Sequence, residues 1–168
     1  MPRNYWMMVI SPENFRIIRE LGFTVQGLKA LYHRKAQRIE PEDRILYYVG
    51  RDRYFPATAT ATSRYFEDGT HKWAKDGSSE WAYGVRIKPE IVLDEEQYID
   101  ARQLAPRLDY IRRWSPEDWY IAFAQTNLHL LPKRDFGLVE DEMRRLRGER
   151  PRGPEKPASS GRGRRRRS

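Results

Sequence analysis

The chain has 168 residues, of which 39% are hydrophobic and 33% charged, with a formal net charge of +8. That length supports one core and is short for two. It has no cysteine, which excludes disulfides, thiolate metal sites and a cysteine nucleophile, and no apolar run reaches the ~18 residues that a membrane-spanning helix needs. The charge is unevenly placed: residues 148–168 hold eight Arg or Lys against two Glu, a net +6, so residues 1–147 carry only +2. We therefore read a nearly neutral domain over residues 1–147. Residues 148–168 read as a basic Arg/Gly/Pro-rich tail, expected to be disordered because it has no bulky apolar residue to bury. The apolar run after Asn4 is too short for a secretion signal, and a cytoplasmic setting is expected.

Tyr5 to Ile10 is apolar without alternation, which predicts a strand covered on both faces. Ser11 and Pro12 then supply an N-cap and a first helical residue, Phe15, Ile17, Ile18 and Leu21 follow at helical spacing, and Gly22 stops the helix. Phe23 to Leu28 reads as a short extended piece, and Leu28 to Arg38 as a basic helix or ordered loop. After the turn Pro41-Glu42-Asp43, Arg44 to Val49 is a strand. The Ala57-Thr58-Ala59-Thr60-Ala61-Thr62 alternation predicts a second, with Ala on one face and Thr on the other.

Residues 71–81 read as a loop carrying Trp73 and Trp81. Ala82 to Leu93 is a further strand, with Pro89 marking a bulge or an edge. A helix broken by Pro106 is expected over Asp100 to Ile111, and a short helix after Ser115-Pro116. Leu128 to Leu131 is a short strand, and a final helix from Pro132 carries Phe136, Val139, Met143 and Leu146. Strands gathered between helices favour a mixed α+β domain with a strongly curved sheet over a repeated βαβ unit.

Twenty-one residues are Phe, Trp or Tyr. Trp6, Tyr47, Tyr48, Trp73 and Trp81 fall near strand ends or in the adjoining loop. Rings so placed either fill the core or stack on a planar ligand. Lys29, His33, Arg34, Lys35 and Arg38 form a basic stretch with no acid before Glu40, which is either a solvated helix face or a phosphate grip. His33, His71 and His129 show no metal-ligand spacing. No nucleophile elbow, Walker loop or dinucleotide fingerprint is present. Neither a metal, a cofactor nor a catalytic residue is expected.

Several segments taken in order resemble one family. They are Tyr5-Trp6 with Ser11-Pro12, Gly27 to Val49 with its Pro41-Glu42-Asp43 turn, the Ala/Thr strand running into Tyr65-Phe66-Glu67-Asp68, Arg112-Arg113-Trp114, and Leu131-Pro132-Lys133-Arg134-Asp135-Phe136. Over about residues 4–146 the chain resembles the EVE domain of the PUA-like superfamily, related to YTH and ASCH domains. The resemblance implies a PUA-like pseudo-barrel, a strongly curved mixed β-sheet flanked by helices. It also implies a non-enzymatic module that holds a single, often modified, nucleobase of DNA or RNA in a pocket, with no membrane partner.

Where related domains place a Trp in the segment after the first helix, this chain has Val25 or Gln26. The expected base-binding set is Trp6, Ser11, Val25, Gln26, Tyr47, Tyr48, Trp73 and Asn127, with the Gln26 amide reading a base edge. Lys29, His33, Arg34, Lys35 and Arg38 would hold phosphates. Glu42 in place of the family's Gly is expected to change the turn. The rival readings are an enzyme of RNA or nucleotide metabolism using the same pocket, and a protein-interaction adaptor working through its basic tail.

Overall fold

A computed structural model of the protein describes residues 3–67, 81–112, 114–115 and 117–148. Trp73, His71, Arg113 and the basic tail beyond Gly148 lie outside the described residues. The strands are β1 (Tyr5–Ile10), β2 (Val25–Leu28), β3 (Arg44–Val49), β4 (Tyr54–Phe55), β5 (Ala57–Ala61), β6 (Phe66–Glu67), β7 (Tyr83–Val92), β8 (Ile99–Asp100) and β9 (Leu128–Leu131). The helices are α1 (Pro12–Glu20), α2 (His33–Ala36), α3 (Ala101–Leu104), α4 (Trp119–Ala124) and α5 (Lys133–Leu146).

The main path of the sheet runs β2-β7-β5-β3-β1-β9. β1 and β3 are parallel, with Tyr5 opposite Arg44 and Ile10 opposite Val49, and the other pairs are antiparallel. This mixed sheet curls into a half-barrel with helices on its outside, the α+β architecture expected from the order of elements. At Pro89 the β5–β7 register slips between Thr58 and Ala59. This is the bulge the proline demanded, and it adds local twist.

The apolar patterns explain the two cores. One cluster gathers Trp6, Met8, Ile10, Ile45, Tyr47, Val49 and the three alanines of β5. The other gathers Met7, Leu46, Tyr48, Phe55, Phe123 and Phe136 under α4 and α5. β1 and β3 each feed both clusters, which is why neither shows polar alternation. Thr58 and Thr60 are buried on the α5 side, and Thr58 satisfies its hydroxyl by donating to Glu140 at 2.8 Å.

α1 starts and stops as its sequence prescribes. Ser11 Oγ accepts from the Asn14 amide at 3.1 Å. Gly22 takes φ +70°, with the Gly22 amide bonded to Arg19 O and the Phe23 amide to Ile18 O, a Schellman stop. The Pro41 turn departs from expectation, because Glu42 keeps the left-handed φ of +79° that glycine favours. Asp43 anchors that turn. Its carboxylate accepts from the Asn4 amide at 2.9 Å, the Glu40 amide at 2.9 Å and Trp6 Nε1 at 3.0 Å.

Two helical expectations are corrected. Residues 100–111 form not one broken helix but the single turn α3 followed by two 3-10 turns, Ala105–Arg107 and Asp109–Ile111. Asp135, fully buried in the first turn of α5, accepts the Asp109 and Tyr110 amides at 2.8 Å each and so captures the backbone of the second 3-10 turn. α4 begins at Trp119 and not directly after Ser115.

His129 is buried on β9. Its Nε2 lies 2.9 Å from both Phe123 O and Thr126 O and therefore donates, leaving Nδ1 to accept the Tyr110 hydroxyl at 2.6 Å. Burial holds its pKa below the ordinary imidazole value of 6.5. The unfolded chain thus takes up this proton more readily than the folded one. The contribution of neutral His129 is complete above about pH 6.5 and is lost as pH falls toward the lowered folded value. We expect the urea midpoint to drop between pH 7.5 and 5.5, and to drop less in His129→Asn. Equal drops would refute this.

Candidate functional site

β2 and β9 are the terminal strands of the sheet's main path, yet residues of both line one cavity. Gly27 and Leu28 come from β2, Leu128 from β9, Met8 from β1, and Lys29, Tyr32, Trp81 and Asn127 from the segments flanking them. The curl therefore brings the two ends of the sheet together. Lys35 closes the seam, with its Nζ donating to the Leu128 carbonyl at 2.9 Å, 93 residues away. The cavity at this junction is about 10 Å³, the size of one water molecule.

Its walls are chemically distinct. The indole of Trp81 lies under the Lys29 ammonium, with Nζ 5.3 Å from the ring centroid, a cation–π contact. Asn127 extends the β1–β9 ladder: its backbone carbonyl accepts from the Val9 amide at 2.7 Å, and its side-chain Nδ2 donates to Val9 O at 2.9 Å. Met8, Leu28 and Leu128 make the floor apolar.

The structure places most of the expected base-binding residues elsewhere. Trp6 is 1% exposed, and its indole N–H is committed to Asp43. Gln26 is also 1% exposed, and both amide atoms have internal partners: Nε2 donates to Gly27 O at 2.8 Å and Oε1 accepts from the Tyr47 hydroxyl at 2.7 Å. Val25 and Tyr47 are buried in the same core, and burial raises the Tyr47 pKa, so it remains a neutral donor to Gln26. Tyr48 faces the second core, and burial pushes its hydroxyl up to about 12. Ser11 is occupied as the cap of α1. Of that set, Asn127 alone among the described residues lines the cavity.

The expected phosphate set divides as well. Lys35 is a closure residue. His33 stacks on Tyr83 at 4.5 Å with an interplanar angle of 1°. Lys29 reaches the cavity. Arg34 and Arg38 are exposed, and the Arg38 guanidinium passes 5.9 Å from the Trp6 ring. Sequence reasoning did not single out Tyr32, Leu28 or Met8 and left Trp81 among several rings. The readable signal was a pair of aromatic residues, Trp81 and Tyr83, at the entry to β7.

A larger cleft, about 450 Å³, lies among Asp109, Tyr110, Arg112, Trp114, Ala122 and Gln125, beside the second core. Its charges are paired, Arg112 with Asp109 and Arg134 with both Asp109 and Asp135. The sheet-end cavity is smaller but gathers more varied groups: the Trp81 ring, the Lys29 ammonium and the Asn127 amide, with Arg34 and Arg38 exposed on the adjoining segment. Among the described residues no group of His, Asp and Glu is arranged to hold a metal ion. None of the helices there is long and apolar enough to cross a membrane.

No family model matches the chain, and no curated protein matches it. Solved structures do. The chain is similar to the YTH domain-containing protein mmi1 in an RNA complex, with a TM-score of 0.62 at 12% identity, covering 88% of this chain and 87% of that one. It is similar to the YTH domain of the Zygosaccharomyces rouxii MRB1 protein in complex with N6-methyladenosine RNA, with a TM-score of 0.57 at 12% identity and coverage of 82% and 84%. A protein from Agrobacterium tumefaciens, Atu2648, matches with a TM-score of 0.55 at 13% identity and coverage of 90% and 99%. At these identities the likeness is one of fold, and the fold is YTH-like.

Proposed function

We propose that the chain is an EVE-type nucleic-acid-binding module that receives a single modified base of DNA or RNA between Trp81 and the Leu28–Lys29 edge, and that it binds rather than transforms its ligand. The observation that carries this reading is the meeting of the two sheet ends at Trp81, Lys29 and Asn127. The RNA complexes of the similar folds lend it support. The cavity as it stands admits no base, so binding requires Trp81 to leave the Leu28–Lys29 edge. The half-buried ring can then cover a base face while the Asn127 Oδ1 accepts from the base edge.

Stacking on an aromatic ring is worth ~1–3 kcal/mol per base. A buried methyl group adds about 0.8 kcal/mol on the apolar floor, which is the physical basis for preferring a modified base. Extracting a base from a duplex costs a few kcal/mol, so single strands are the favoured targets.

A binding screen of the purified protein against single-stranded oligonucleotides, each carrying one modified base, tests the reading. One modification should bind at least several-fold better than its unmodified parent. Equal binding across the series, or none, would overturn it. Arg34 and Arg38 serve the backbone in this reading. The double variant Arg34→Ala/Arg38→Ala should weaken all strands alike and reduce the slope of log K against log salt by about 1.4, two contacts at ~0.7 each. An unchanged slope would contradict the phosphate role.

A further inference from the structure

Beside the cavity lies a block of three rings that base insertion does not use. His33 of α2 is parallel to Tyr83 of β7, 4.5 Å between centroids and 1° from coplanar. Tyr65 meets both edge-on, at 5.3 Å from His33 and 5.5 Å from Tyr83. All three are half-buried. Tyr65 and Tyr83 also pack against the first core.

The block is continuous with the cavity. Tyr83 is paired in register with Leu28, a cavity residue. Tyr83 also follows Trp81 by two residues, at the point where β7 begins. Exposed cations flank the block. Arg34 follows His33 directly, and the Arg86 guanidinium lies 5.1 Å from the centroid of Phe66.

We propose that this block is a second stacking platform, on which the nucleotide next to the inserted base lays its ring against His33 while Arg34 holds the intervening phosphate. The proper ligand is then a single strand of at least two nucleotides and not a free nucleoside or nucleotide. The inference rests on the reading of the cavity as a base site. The two make separable demands: the cavity selects one base by its modification, whereas a ring platform is tolerant of sequence because every base has a π-face.

The test uses the full chain and fluorescence polarisation with three probes: N6-methyladenosine monophosphate, a trinucleotide RNA with that residue in the centre, and the same trinucleotide with abasic neighbours. Wild type should bind the trinucleotide about tenfold or more tightly than the abasic form, at the low end of what one stacked base contributes. His33→Ala should abolish that difference, and His33→Phe, which keeps a ring without the imidazole, should restore it. Thermal unfolding of each variant shows that the fold is retained.

If wild type does not distinguish the two trinucleotides, or if His33→Ala keeps the difference, the platform is refuted whatever the cavity does. If the difference exists and depends on His33, but a control trinucleotide with an unmodified central adenosine binds as well as the methylated one, the platform stands and the selectivity for that modification falls. Binding to none of the three probes refutes the platform as well.

Discussion

Glu140→Ala should lower the free energy of unfolding by about 3–5 kcal/mol, the cost of leaving a buried ion pair half made. Glu140, Arg44 and Arg144 are 7%, 8% and 6% exposed. The Glu140 carboxylate bonds to Arg44, accepts from Thr58 Oγ1 at 2.8 Å and lies 3.4 Å from Arg144 Nη2. It is therefore the one anion between two cations, held under α5 against the start of β3. Arg44 Nε and Arg144 Nη1 are buried with no hydrogen-bond partner among the described residues, so the cluster is already short of acceptors. Truncating Glu140 removes the remaining ones. Stacking of Arg44 on Phe136, at 5.0 Å, offsets only part of that loss. Urea unfolding measures the change. A loss below ~1 kcal/mol would show that the cluster is effectively solvated. The triple variant Arg44→Leu/Glu140→Leu/Arg144→Leu should recover much of the loss, because it removes both cations together with the carboxylate they share.

Trp81→Ala should weaken binding to the preferred single strand by about 30-fold or more while leaving the unfolding midpoint close to that of wild type. The ring is half-buried and packs on the rim of the first core, not inside it, so its loss costs less packing than that of a fully buried ring and lowers the midpoint only modestly. On the proposed reading it covers a face of the inserted base, with stacking worth ~1–3 kcal/mol. Trp81→Phe should retain most of the affinity because a smaller face remains. Fluorescence polarisation alongside a thermal melt decides between the outcomes. Unchanged affinity in Trp81→Ala would remove the cavity from consideration as the binding site and turn attention to the cleft at Tyr110 and Trp114.

The architecture was largely legible because its signals are local. The Ser11 cap, the Ala/Thr alternation of β5, the bulge at Pro89 and the bounds of β3 and β9 each depend on neighbours within a few residues. The site was legible only in part, because its logic is long-range. Whether Gln26 reads a ligand or bonds internally is decided by Tyr47, 21 residues on. Whether Lys35 holds a phosphate or closes the sheet is decided by Leu128. Trp6 was a candidate wall until Asp43 took its indole N–H. Side-chain type offers the same atoms in both roles, and only the curl of the sheet chooses between them. The resemblance to a base-binding family named mostly residues that the fold buries or commits to internal hydrogen bonds.

The Lys35 contact bears on more than closure. A terminal strand with open carbonyls is a template on which a second molecule can add its own strand, the first step toward aggregates. β9 carries an exposed leucine, Leu130, which would favour such growth. By placing an ammonium group on the Leu128 carbonyl, the chain puts a charge where an incoming strand would have to pair, so the lysine that closes the half-barrel also blocks that stretch of its edge.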